Sequence, residues 1–195
     1  MSVADSNKLA LSVHRNVDGA VENLVLSYQD QLFSFALRLL RNPMDAQEVT
    51  QDAFVRAIRA LTIQYDAQRC THLALRPWLY RITRNLALNR SRARRGNPEE
   101  PFQPGSEGHE AAMRRAGKPQ PDYQAARNIE ALDGALQHLP AESRELVLLR
   151  FMEEMPYADI AAVVGGTEAS ARAKVFRALR KLRNILSRAE DKDAL

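Results

Sequence analysis

Tyr157–Arg183 reads YADIAAVVGGTEASARAKVFRALRKLR: a short helical run to Val164, the pair Gly165-Gly166, then a long helical run opening at Thr167 or Glu168. Adjacent glycines punctuate a helix because they take positive φ freely and lose the most backbone entropy when held helical. Ala171, Val175, Leu179, Leu182 and Leu186 share one face of the last helix, and Arg172, Lys174, Arg177, Arg180, Lys181 and Arg183 occupy the others. From Glu168 to Arg188 there are seven basic residues and one acid. A solvated amphipathic helix explains a run of charge, but neither its single sign nor the turn before it. A short helix, a glycine turn and a basic second helix form a helix-turn-helix, whose second helix lies in a major groove with its first residues at the base edges. Arg172 and Lys174 fall in the first two turns and are candidates for reading bases. Arg177 and Arg180 lie further along, at the height of the phosphates, and Lys181 extends that basic surface.

Upstream, Ile129, Leu132, Leu136 and Leu139 make another apolar stripe, and Pro140 marks a new start followed by Leu146 and Leu149. Before that the composition changes. From Gly96 to about Pro121 the chain is rich in Pro, Gly, Glu, Gln and Ser, with Phe102 and Met113 as its only large apolar residues. Such a segment buries too little surface to offset its ordering entropy and reads as a flexible linker, with room for a short helix at Glu110–Ala116.

The N-terminal part repeats the helical period. Val21, Leu24, Val25, Tyr28, Leu32 and Leu39 recur at three- to four-residue spacing. Asn42-Pro43 then supplies an N-cap and a first helical residue. The helix begun there turns Val49, Ala53, Ala57 and Leu61 inward, widened by Phe54 and Ile58. A third helix starts near Pro77 and points Leu79, Ile82 and Leu86 inward. Its other side carries Arg81, Asn85, Asn89 and Arg92 as one polar ridge, with Arg84 adding charge beside it. Trp78 and Tyr80 near its start are candidates to stack on unpaired bases, as single-strand binders require; core packing is the alternative for Trp78. No stretch alternates with period two for long enough to make a sheet. The expected fold is therefore all-α: two small helical domains, 1–95 and 126–195, joined by a linker at 96–125, the second domain a helix-turn-helix.

Charge placement indicates the partner. Between Ala67 and Gly96 stand eight arginines and no acid, and outside the two basic stretches acids outnumber bases, although the net charge is only +4. Two basic faces on such a background are the footprint of a polyanion, nucleic acid first. At 195 residues and 45% apolar composition the chain reads as globular, and no apolar run approaches the ~20 residues that span a bilayer. Met1–Asp18 is polar and unlike a secretory signal, so a cytoplasmic protein without membrane insertion is expected. Cys70 and His72 together fall short of the four ligands of structural zinc, and Cys70 reads as a loop thiol. His14, His72, His109 and His138 are scattered, no nucleophile and base cluster together, and no phosphate-cradling GxxxxGK[ST] loop occurs. No enzyme and no cofactor are expected.

Three blocks resemble the extracytoplasmic-function sigma factors of bacterial RNA polymerase. DAQEVTQDAFVRAIRAL (Asp45–Leu61) is similar to the helix that grips the polymerase clamp helices. RPWLYRITRNLALNRSR (Arg76–Arg92) is similar to the promoter-melting helix that recognises the near element. LPAESRELVLLRFMEEMPYADIAAVVGGTEASARAKVFRALRKLR (Leu139–Arg183) is similar to the helix-turn-helix that reads the distant element. The likeness covers roughly Val21–Arg95 and Ile129–Leu186, in the family's order. It implies that Asp45, Glu48, Gln51, Asp52 and Phe54 bind core RNA polymerase, and that Asn85, with the loop before Trp78, holds a flipped non-template base. It also implies that Arg172, Lys174 and Arg177 contact the distant element of promoter DNA, and that an anti-sigma factor is a further partner. The recognition segment departs from the family's frequent Gly-Thr-Val-Lys/Arg-Ser-Arg, reading Ala169-Ser170-Ala171-Arg172-Ala173-Lys174. Ala173 brings no hydroxyl, so the promoter sequence read is expected to differ from the common one. Ala74-Leu75 stand where the family has an aromatic loop residue. The alternative, a conventional helix-turn-helix regulator, would normally dimerise and leaves the Asp45–Leu61 block without a role.

Overall fold

The computed structural model describes residues 3–96, 132 and 134–193. The chain divides into two units, 1–117 and 118–195, and the described residues of both are helical with no strand. Most of the expected linker, the helix allowed at Glu110–Ala116, and Ile129 lie outside the described residues.

In the first unit, α1 (Val3–His14), α2 (Ala20–Leu40), α3 (Pro43–Arg59), α4 (Ala67–His72) and α5 (Leu75–Gly96) succeed one another, α3 running on into a π-turn at Ala60–Gln64. Leu24, Tyr28, Leu32 and Phe35 line the buried side of α2, while Val21, in its first turn, is exposed. Arg41 closes α2 in the left-handed conformation at φ 59°, and its backbone N–H returns to the Leu37 carbonyl at 2.6 Å. Asn42 then caps α3, its side-chain oxygen accepting from the Asp45 N–H at 3.0 Å, with Pro43 as the first helical residue. That cap supplies a partner to an otherwise unsatisfied donor. Ala36, Ala46, Ala53 and Ala87 alternate with Leu37, Val49 and Leu86 where α2, α3 and α5 meet; the small residues let the three backbones approach closely.

Two helices lack an evident signal in the sequence. α1 packs on α2, α4 and α5 through Ala10 and Val13, and the His14 Nδ1 lies 2.9 Å from the Leu61 carbonyl. α4 is capped by Asp66, whose carboxylate accepts from the Arg69 N–H at 2.7 Å. Cys70 is therefore no loop residue: it sits on α4, fully buried, and that burial pushes its thiol above the ordinary value. His72, by contrast, is exposed.

In the second unit, α6 (Ala141–Val147) runs on into a π-turn at Leu148–Met152 and is followed by α7 (Tyr157–Val164) and α8 (Glu168–Asp193). Leu136, Leu139, Leu146, Leu148, Leu149, Met155, Ile160 and Val163 form the core with the inner face of α8. Residues 134–137 are helical. Arg144 donates to the carbonyls of Leu136, Gln137 and Leu139 at 2.9, 3.0 and 3.3 Å, satisfying groups that a helix end leaves bare.

Candidate nucleic-acid interfaces

The turn before α8 depends on glycine. Gly165 and Gly166 sit at φ 84° and 116°, where a side chain is strained. Thr167 then caps α8, its hydroxyl accepting from the Ser170 N–H at 3.2 Å. Ala171, Val175, Ala178 and Leu182 bury one side of α8 against α6 and α7. That burial leaves Arg172, Arg177, Arg180, Lys181 and Arg183 on the exposed side, as the apolar period requires. Lys174 is only half-exposed and its Nζ lies 3.7 Å from the Glu142 carboxylate. Arg172 donates to the Glu168 carboxylate at 3.2 Å.

Phe176 escaped a reading that weighed only charges. It stands 68% exposed among the basic residues. With Ala169 and Ala173 it forms the apolar part of an open depression also lined by Glu168, Arg172 and Arg177. An exposed aromatic off the buried phase of a basic helix is the signal that identifies it, and apolar groups in a major groove meet thymine methyls.

On α5, Arg81, Asn85, Asn89 and Arg92 are all exposed and form one ridge. Arg84 donates to the side-chain Oδ1 of Asn85 at 3.4 Å and Arg92 to that of Asn89 at 3.5 Å. Trp78 is half-buried, its ring tilted on Tyr65 at 5.6 Å, and Tyr65 carries the Arg69 guanidinium 3.8 Å from its centroid. Beside this string lies an open depression lined by Asp66, Gln68, Arg69, His72, Leu73 and Ala74. Tyr80 does not join it. It is fully buried and packs on Phe35 at 5.1 Å, because helix positions two apart do not share a face. Tyr80 is thus withdrawn as a base-stacking residue.

The five residues expected to face the polymerase divide. Glu48, Gln51 and Asp52 are exposed on α3, with Met44 and Val55 exposed alongside. Asp45 and Phe54 point inward, 5% and 7% exposed. The Asp45 carboxylate accepts from Arg90 Nε at 2.8 Å and from an Arg94 terminal nitrogen at 2.6 Å, and Arg90 also reaches Glu48 at 2.7 Å. Its hydrogen bond to Asp45 raises the Arg90 pKa further above an already high value, so the guanidinium stays charged. Asp45 is therefore the anchor joining α3 to the C-terminal half of α5, and a buried carboxylate so engaged offers little to a partner's surface. Among the described residues no three His, Cys, Asp or Glu side chains gather as a metal site. Among the same residues no helix is long and apolar enough to cross a membrane.

The described residues thus define a two-unit helical protein with one basic surface on a helix-turn-helix and another on α5. Residues 24–96 match the Sigma-70 region 2 family and residues 129–182 match the Sigma-70, region 4 family. The chain is 32% identical over 176 residues to the RNA polymerase sigma-H factor of Pseudomonas aeruginosa, covering 88% of each chain. It is 30% identical over 167 residues to the ECF RNA polymerase sigma factor SigE of Mycolicibacterium smegmatis, covering 86% of this chain but only 62% of that protein. Among solved structures, CnrH bound to the cytosolic domain of CnrY shares the fold with a TM-score of 0.67 at 22% identity, covering 93% of this chain and 97% of that one. The sigma factor RpoE of Bartonella quintana, bound to the anti-sigma factor NepR, does so at 0.60 and 21%, covering 87% and 98%. The chain belongs to the extracytoplasmic-function family of RNA polymerase sigma factors, the subunits that direct RNA polymerase to promoters.

Proposed function

We propose that this chain docks on core RNA polymerase through the exposed face of α3 and holds two promoter elements with its two basic helices. Glu48, Gln51 and Asp52 make the polymerase contact, and Asp45 and Phe54 support that face from inside. The ridge of Arg81, Arg84, Asn85, Asn89 and Arg92 takes the near element, with Trp78 against an unpaired base. Arg172, Lys174, Arg177 and Lys181 meet the distant element in duplex form. The functional domains are 1–95 and 126–195, connected through 96–125, so binding of one raises the local concentration of the other. Strand opening draws on binding energy alone: unstacking a base costs a few kcal/mol, and aromatic stacking returns about 1–3 kcal/mol per base. The reading assigns the protein no catalytic chemistry and places it in the cytoplasm. An anti-sigma factor is its inhibitory partner, as CnrH and RpoE are each solved with a bound protein, which for RpoE is named an anti-sigma factor.

The observation that carries this reading is the presence of two exposed arginine surfaces, each on a helix whose opposite side is sealed in its own core. Run-off transcription with purified core polymerase and a genomic fragment library tests it. New start sites are expected on adding the protein, and their absence refutes the proposal. Arg177→Ala should lower the slope of log affinity against log salt by about 0.9, the share of one phosphate contact. A slope unchanged from wild type removes Arg177 from the DNA backbone.

A further inference from the structure

We infer that Tyr157 is a positioning residue for base recognition: its ring holds the Arg172 guanidinium in place before DNA arrives. The inference rests on the reading of α8 as the helix that meets the distant element.

Tyr157 opens α7 and Arg172 lies in the second turn of α8. The Gly165-Gly166 turn brings them together, with the Arg172 Cζ 5.1 Å from the centre of the Tyr157 ring. The Arg150 guanidinium lies 4.9 Å from the same ring centre. Both fall within the ~6 Å over which a ring's quadrupole attracts a cation. The two arginines are held differently. Arg150 is half-buried and tied to the backbone, donating to the Met155 carbonyl at 3.0 Å. Arg172 is presented outward with its side chain 65% exposed, and its other contact is the Glu168 carboxylate at 3.2 Å.

Tyr157 itself is only half-buried, so part of its side chain lies outside the core, and both guanidiniums lie over its ring. An exposed arginine samples many rotamers and loses that freedom when it binds. A ring on one side and a carboxylate one turn earlier restrict that freedom in advance and keep the guanidinium near the first turns of α8. Those turns are where a helix of this kind meets base edges, and a planar guanidinium at a base edge discriminates only if its orientation is set. The strength of a cation–π contact at an exposed site corresponds to about two- to fivefold in an equilibrium constant.

The test uses the full chain bound to core RNA polymerase, on duplex promoter fragments each altered at one base pair of the distant element. Tyr157→Phe, Tyr157→Leu, Tyr157→Met, Arg172→Ala and the double variant Tyr157→Leu/Arg172→Ala are compared, with thermal unfolding followed for each. Tyr157→Phe should behave as wild type because the ring remains. Tyr157→Leu and Tyr157→Met should lose about two- to fivefold of discrimination, only at the base pairs where Arg172→Ala loses it. In the Arg172→Ala background the leucine change should add nothing. If the leucine and methionine variants weaken all sequences alike, add to Arg172→Ala, or are matched by Tyr157→Phe, the inference is wrong. If Arg172→Ala itself changes no base pair, the reading of α8 fails first and takes this inference with it.

Discussion

Asp45→Ala should destabilise the first unit by about 2 kcal/mol, whereas Asp52→Ala, seven residues further along the same helix, should change its stability by less than about 0.5 kcal/mol. Both are aspartates of α3 within the block that resembles a polymerase-binding helix. Asp45 is nearly inaccessible, and its two oxygens are taken by Arg90 and Arg94. Removing the carboxylate forfeits two hydrogen bonds to charged groups, each worth about 1.5–3 kcal/mol when sheltered from water. Arg90 keeps Glu48 at 2.7 Å, and Arg90 and Arg94 retain 43% and 31% of their side-chain exposure and can rehydrate, which lowers the net cost to about 2 kcal/mol. The lost carboxylate also stood in the first turn of α3, where the helix dipole favours it. For a domain of this size the melting temperature should fall by roughly 8–16 °C. Asp52→Ala should instead melt as wild type while weakening capture of core polymerase in a pull-down. A wild-type melting curve for Asp45→Ala would show that the Arg90–Asp45–Arg94 cluster contributes nothing to the fold.

The second large effect separates two aromatics that stand two residues apart. Tyr80→Ala should cost about 3–5 kcal/mol, the range for emptying a fully buried aromatic site. The ring is inaccessible and lies against Phe35, and α5 loses its seat when that site is empty. Trp78→Ala should leave unit 1 folded with a smaller loss, since Trp78 is half-buried against Tyr65. Its main consequence should be in promoter opening: one stacked base is worth about 1–3 kcal/mol, roughly five- to 150-fold in the open complex. Permanganate reactivity of unpaired thymines reads that quantity directly, and chemical denaturation reads the other. Normal thymine reactivity in a well-folded Trp78→Ala protein would assign the indole to packing alone.

The helix-turn-helix was legible because its signals are local. Gly165-Gly166 interrupts the chain, Thr167 caps the next helix, and the apolar period puts Ala171, Val175 and Leu182 on one side; α7 runs Tyr157–Val164 as its pattern requires. Asn42-Pro43 marked the start of α3 for the same reason, and the α5 ridge came from helical spacing. α1 and α4 were not legible. Residues 1–18 read only as polar, and α4 spans only Ala67–His72, too short for a periodic pattern to emerge. Tyr80 was within reach of the sequence, since it shares a helical side with Thr83 and Ala87, both buried.

By itself, then, the sequence determined the helical class, the two basic surfaces and the turn that orients the second, since each depends on residues within a few positions of one another. Only the tertiary structure decided which acidic residues of α3 remain outside, because Asp45 is withdrawn by arginines 45 and 49 positions away in the chain. The same holds for Arg172, which meets the Tyr157 ring only once α7 and α8 have packed. Helical phase says which residues share a side, but a charge's partner across the core depends on where another helix comes to rest.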